Sequence, residues 1–185
     1  PSSPAWINQI HSNISVDAEL ISSVVSADAS YSKKPGVVCA VLTADCLPIF
    51  FSNKKGTVVG VAHAGWKGLV GGVIESLIKS LGLNNNDLVV HLGPAISQLS
   101  FEVGEEVKSL YISKNNNFES CFIYLNKKHY LDLYSAARVV LKSCGIFSIS
   151  GGDRCTYNES DQYFSYRRDG EKSGRMAHLI WIEPD

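Results

Sequence analysis

The sequence contains no CxxC pair, no large excess of either charge, no long apolar run and no internal repeat. Its five cysteines (39, 46, 121, 144 and 155) leave one over from any pairing. Three of them, Cys39, Cys121 and Cys144, sit in apolar stretches where a reduced, buried thiol is the ordinary state. That argues against a disulfide framework and predicts a reducing, cytoplasmic setting. A formal net charge of −1 predicts neither general affinity for nucleic acid nor attraction to anionic membranes. No apolar run approaches the ~20 residues that cross a bilayer. The opening Pro1-Ser-Ser-Pro-Ala-Trp6 lacks the basic and apolar regions of a signal peptide. What is present is a globular composition, 45% hydrophobic and 19% charged, in a chain of 185 residues. That length suits one domain with a sizeable core.

Hydrophobic patterning divides the chain into strands and helices without strict alternation, which predicts an α/β (α+β) fold built on mixed sheets. Val37–Thr43 is nearly all apolar and reads as a strand buried on both faces. Ile49–Phe51 and Thr57–Val61 flank Asn53-Lys-Lys-Gly56 and read as a β-hairpin. A two-residue loop at Lys54-Lys55 sets Cys46 directly opposite His63; a longer loop shifts the register and keeps them neighbours. Leu69, Val70, Val73, Ile74, Leu77, Ile78 and Leu81 recur with helical spacing, starting at Gly65–Gly68 and capped by Gly82. Further strands are expected near Ile14–Val16, Leu88–Leu92, Cys121–Leu125, Phe147–Ile149, Tyr163–Tyr166 and Met176–Ile182. Helices are expected around Val103–Tyr111 and over Leu131–Lys142. Ser22–Pro35 is small and polar and reads as a loop or short helix.

Cys46 ends an apolar stretch at a Thr-Ala-Asp turn, where thiols become accessible, and His63 precedes a glycine-rich turn into a helix. A thiolate and an imidazole bind zinc or copper, and the same pair makes a cysteine nucleophile. The bland readings are a buried structural cysteine and a histidine bonded at a helix entry; the predicted proximity of the two favours function. A third ligand is open among His11, His91, His129 and His178. His129, beside Lys127-Lys128, reads as exposed, and His91 and His178 alternate with apolar residues as ordinary strand positions do. The helix entry with Lys67 suits a phosphate or carboxylate. Arg167 and Arg168, with Arg175 beyond them, either clamp a phosphate or decorate a charged hairpin tip. Asp153-Arg-Cys155 follows two glycines and puts a further thiol on a loop, lining the site or stapling the packing.

Five motifs stand in order: Gln9-Ile-His11, Thr43-Ala-Asp-Cys-Leu-Pro48, Ala62-His-Ala-Gly-Trp-Lys-Gly68, Leu92-Gly-Pro-Ala-Ile96 and Ser165-Tyr-Arg-Arg-Asp-Gly170. Together they resemble the bacterial laccase-domain proteins, also called the multicopper polyphenol oxidase or purine nucleoside phosphorylase family. The likeness runs from about Trp6 to the C-terminus. It implies mixed sheets stacked between helical layers, similar to cysteine-hydrolase-like proteins, in a single domain over residues 1–185. It implies a metal site of His11, Cys46 and His63, holding zinc or copper. The implied partners are a purine nucleoside (adenosine, guanosine, inosine or methylthioadenosine) and phosphate, with adenosine deamination as a second activity and an editing role on peptidoglycan precursors as another. Two departures stand out. Lys67 occupies the place of the family's usual arginine and cannot reproduce its bidentate contacts. The chain also opens almost at the Gln-x-His motif, so it is expected to lack an N-terminal segment usual in the family.

Three protein ligands leave a fourth position on a tetrahedral zinc, the pattern of a catalytic site. Deamination would draw on that position, with Asp45 as proton carrier; the bland reading of Asp45 is a turn cap. Phosphorolysis needs an anion pocket, for which Lys67 and Arg167 are candidates, with Trp66 or Tyr166 against the purine. A true laccase needs many histidines in His-x-His pairs, and this chain has five histidines and no such pair. The alternative of another class is a metal-free cysteine hydrolase or amidase with Cys46 as nucleophile and His63 as base. The oligomeric state is left open by the sequence.

Overall fold

A computed structural model describes residues 1–184 of the chain. In chain order its strands are β1 (Ser15–Asp17), β2 (Ala29–Ser32), β3 (Cys39–Thr43), β4 (Leu47–Asn53), β5 (Val59–Ala64), β6 (Leu88–Leu92), β7 (Glu102–Val103), β8 (Phe122–Leu125), β9 (Lys128–Leu131), β10 (Ile149–Gly151) and β11 (Met176–Ile180). The helices are α1 (Trp66–Gly71), α2 (Val73–Leu81), α3 (Glu105–Lys114), α4 (Leu133–Ser143) and the single turn α5 (Tyr166–Asp169). Six strands form one sheet in the order β1-β2-β5-β4-β6-β10. The inner pairs are antiparallel and the two outermost pairs parallel, so the sheet is mixed as its patterning predicts.

The apolar residues of β4 and β5 explain why this sheet is the centre. Leu47, Ile49, Phe51, Ala62 and Ala64 face α1, α2 and α4, whose Leu69, Ile74, Leu77, Ala137 and Leu141 close one core. Val59 and Val61 point the other way, onto Cys39 and Val41 of β3. β3 pairs with β11 in a second, two-stranded sheet. The order through the molecule is therefore helices, large sheet, small sheet. A third small sheet, β7-β9-β8, takes its strands from either side of α3 in sequence. All five cysteines are free. Among the described residues no helix is long and apolar enough to cross a membrane.

Five expectations change. The hairpin loop has four residues, because the Asn53 side chain accepts the N–H groups of Thr57 (2.8 Å) and Val58 (3.2 Å) and holds the wider turn closed. The register shifts accordingly, and Pro48, not Cys46, stands opposite His63. The long helix is two, broken at Gly72 with φ 97°. Tyr163–Tyr166 is not a strand: Ser165 Oγ accepts the Arg168 N–H (3.2 Å) and starts α5 instead. Ser22–Pro35 is not all loop, since it contains β2, an interior strand whose Ser30 and Ser32 are fully buried. In the same way His129 lies in β9, half-buried against the Glu105 carboxylate, where the sequence reads as exposed.

Candidate metal and anion site

His11, Cys46 and His63 converge from three segments, and their ligand atoms all lie within 4.8 Å of one another. Cys46 sits in the bend between β3 and β4, and His63 near the end of β5. His11 belongs to a strap without regular structure, held to the small sheet by Gln9. The Gln9 amide donates to the Leu42 carbonyl (2.8 Å) and accepts the Leu42 N–H (2.7 Å). This gives the glutamine of the Gln-x-His motif a mechanical reason. His11 Nε2 is 3.9 Å from Cys46 Sγ, and the two imidazoles meet edge to face, 4.8 Å between ring centroids.

Asp28, at the entrance to β2, organises the group. Its Oδ1 accepts His63 Nδ1–H (2.8 Å) and the His11 N–H (3.0 Å), while Oδ2 accepts from the Ile10 N–H (3.2 Å) and from the Ser12 N–H (2.6 Å) and hydroxyl (2.7 Å). Fixing Nδ1–H on the carboxylate leaves His63 Nε2 as the free donor atom. His11 itself is left-handed, φ 59°, a conformation these bonds hold in place. Burial raises the Asp28 carboxyl, but the bonds from His63 and Ser12 win and hold it at about 2. Burial lowers His63, and its bonds to Asp28 and Cys46 reverse that to about 9. Burial raises Cys46, and its contacts with His11 and His63 bring the thiol down to about 7.

Two imidazoles and a thiol at this spacing, with a carboxylate behind one imidazole, fit a tetrahedral zinc with one open position. Gly65 confirms how tightly the group is enclosed: a Cβ there would lie 2.8 Å from Cys46 Sγ and 2.9 Å from His11 Cδ2. The triad opens onto a cavity of about 740 Å³ whose walls include Trp66, Lys67, Phe101, Tyr166, Arg167 and Arg175. Lys67 Nζ lies 5.5 Å from the Trp66 ring, Arg167 stacks 5.3 Å from Phe101, and Arg175 5.5 Å from Tyr166. Among the described residues none of these three cations forms an ion pair.

The sequence-predicted residues divide clearly. His11, Cys46, His63, Trp66, Lys67, Asp45 and Arg167 border one cavity. Cys155 does not: it is buried, with Ser97 Oγ at 2.9 Å from its sulfur, and it staples the packing. Arg168 does not either, because its guanidinium binds the carbonyls of Thr156, Tyr157 and Tyr163 and the carboxylate of Asp169. Asp45 borders the cavity, yet both its oxygens are already met by donors, Thr156 Oγ1 and the Arg167 N–H. Of the histidines left open by spacing, His178 bonds Thr43 and His91 bonds Ser150. Asp28 escaped the sequence reading, hidden in a polar stretch that resembles a loop.

The family model described as multi-copper polyphenol oxidoreductase laccase matches residues 1–183. The chain belongs to this family. Relatives of this laccase-like family include the purine nucleoside phosphorylase YfiH of Escherichia coli, 45% identical over 184 residues, which cover 98% of this chain and 75% of that protein. A purine nucleoside phosphorylase of Pseudomonas aeruginosa is 41% identical over 182 residues, 97% of this chain and 74% of the relative. Among solved structures, a Neisseria meningitidis member superposes with a TM-score of 0.94 at 43% identity, over 98% of this chain and 75% of that one. The laccase-like fold is thus shared through the whole matched length.

Proposed function

We propose that this chain is a zinc-dependent purine nucleoside phosphorylase, taking adenosine, inosine, guanosine or methylthioadenosine with phosphate, and that the same site deaminates adenosine. The observation that carries this reading is one cavity lined both by a His-Cys-His triad and by three cations, each set against an aromatic ring. The names of the relatives from Escherichia coli and Pseudomonas aeruginosa support it.

His11 Nε2, Cys46 Sγ and His63 Nε2 would hold the ion, which when bound supplies Lewis acidity and lowers the pKa of a water ligand toward ~7. Lys67 and Arg167 bind inorganic phosphate, Arg167 by its fork of donors and Lys67 as a point charge. Trp66 and Tyr166 offer apolar faces to the purine. In phosphorolysis a phosphate oxygen forms a bond to the anomeric carbon as the bond from that carbon to the purine nitrogen breaks. The products are the free base, which takes up a proton, and the sugar 1-phosphate. The chain's own contribution is to align the nucleophile and exclude water from the anomeric carbon.

Metal analysis of the native protein beside Cys46→Ala, with inosine and adenosine phosphorolysis assayed on both, tests this reading. The expected result is zinc and phosphate-dependent base release in the native protein and loss of both in the variant. Metal-loaded protein that releases no base from any nucleoside overturns it. A second reading rests on the Cys46 thiol at about 7 beside His11: a cysteine amidase, the class of chemistry that would remove a wrongly incorporated serine from a peptidoglycan precursor. Inactivation by an alkylating reagent regardless of chelator would favour this thiol chemistry; inactivation only after chelation favours the metal enzyme.

A further inference from the structure

Asp45 stands beside Cys46 and takes no part in the reaction as outlined. It is 8% exposed, and its backbone is left-handed, with φ 87°, which a residue bearing a Cβ rarely adopts. Each of its acceptor groups reaches out of its own loop. Oδ1 accepts the Thr156 hydroxyl at 2.6 Å, Oδ2 accepts the Arg167 N–H at 2.6 Å, and the main-chain carbonyl accepts the Ile96 N–H at 3.0 Å. Thr156 is fully buried and donates its own N–H to the Ala95 carbonyl at 3.0 Å, so the anchor is itself anchored. The Arg167 N–H belongs to the first turn of α5, and the guanidinium that projects from it stacks on Phe101 and donates to the Glu102 carbonyl at 3.1 Å.

We infer that Asp45 is a positioning residue that fixes the Arg167 side of the cavity relative to the Cys46 side. The carboxylate is covalently one residue from the thiol and hydrogen-bonded to the backbone that carries the guanidinium. It therefore sets the separation between the triad and the phosphate-binding wall. A proton carrier needs an oxygen turned toward substrate or water; here each oxygen is turned toward a donor of the protein. The left-handed backbone persists because three bonds over-determine it. The meaning of this separation for catalysis rests on the phosphorolysis proposed above, whereas the bracing itself does not.

Asp45→Asn separates the alternatives. Its Oδ1 can accept the Arg167 N–H and its amide can donate to Thr156 Oγ1, but it cannot carry a proton. Asp45→Ala keeps neither contact. In the protein as purified, Asp45→Ala is expected to speed hydrogen exchange at the amides of residues 166–169 by about tenfold or more, with Asn within about threefold of wild type. Exchange at residues 10–12 and 63–65, and the zinc content, stay at wild-type levels. In phosphorolysis Asp45→Ala raises the phosphate KM by about tenfold or more while kcat stays within about threefold, and Asn restores the KM. Three results overturn the inference: kcat lost in Asn as severely as in Ala, exchange at 166–169 unchanged in Ala, or zinc lost from Ala. If Ala does not fold, Thr156→Val, which removes one bond of the brace, takes its place, and unchanged exchange at 166–169 in that variant also overturns it. Wild-type protein that cleaves no nucleoside sinks the proposed function alone, because the exchange pattern still decides the role of Asp45.

Discussion

Asp28 accepts five hydrogen bonds, four of them from the strap that carries His11 and one from His63. A single side chain thereby orients two of the three candidate ligands. Asp28→Asn turns one acceptor oxygen into an NH2 group that faces donors it cannot satisfy. We expect it to weaken zinc binding by roughly 10–100-fold, measured by competition with a chelating dye. Unchanged affinity would show that the strap holds His11 without it. The predicted hairpin made Cys46 and His63 legible as neighbours, whereas His11 was singled out among four histidines only by the family resemblance that the Gln9-Ile-His11 motif helps to carry. Asp28 was not legible, because its partners lie 16 to 35 residues away and its neighbours are small and polar. Cys155 misled for the opposite reason: glycines before a cysteine suggest an open loop, and the fold buries that thiol against Ser97.

At the scale of elements, the break between α1 and α2 and the strand β2 show where periodicity reads well and where it does not. Leu69 through Leu81 keep helical spacing across Gly72, so the pattern predicts one helix. Gly72 at φ 97° turns the axis, and its N–H caps α1 by bonding the carbonyls of Gly68 and Leu69. A Cβ at Gly72 meets nothing closer than 3.6 Å, so Gly72→Ala suffers from conformation alone. The expected loss is about 1–2 kcal/mol, read from the urea midpoint at unchanged slope. A variant as stable as wild type would mean that the helices can merge. β2 is the reverse case. Ala29-Ser-Tyr-Ser32 has little strand propensity of its own and is drawn into the sheet by β1 and β5, whose ladders supply its hydrogen bonds. Of its two buried serines, Ser32 Oγ bonds Glu19 (3.2 Å), while Ser30 Oγ has no hydrogen-bond partner among the described residues.

For the molecule as a whole, a buried histidine of the small sheet faces the large one, its ring centroid 6.1 Å from that of Phe50 in β4. His178 of β11 bonds Thr43 of β3 (2.8 Å), and burial, with the like charge of His63, lowers its pKa from 6.5 to about 4. A histidine depressed in the folded state contributes stability that is fully present above its unfolded pKa and is lost as pH falls toward the folded value. Stability should therefore decline between pH 6.5 and 4 by up to about 3 kcal/mol from this group. The comparison is thermal or urea unfolding of wild type and His178→Gln across that range; identical pH dependence in the two would remove His178 from the account. The mixed character of the large sheet was readable from strands and helices that do not strictly alternate, whereas the stacking of sheets and helices came only with the family resemblance. The hairpin register was not readable, because it turned on one asparagine side chain. That register has a practical result. With Pro48 in the ladder opposite His63, Cys46 hangs in a bend beyond the last rung of β4, contributing a sulfur and no strand pairing. Its replacement can silence the chemistry while leaving the scaffold upright, so a dead Cys46 variant speaks about reactivity and not about collapse.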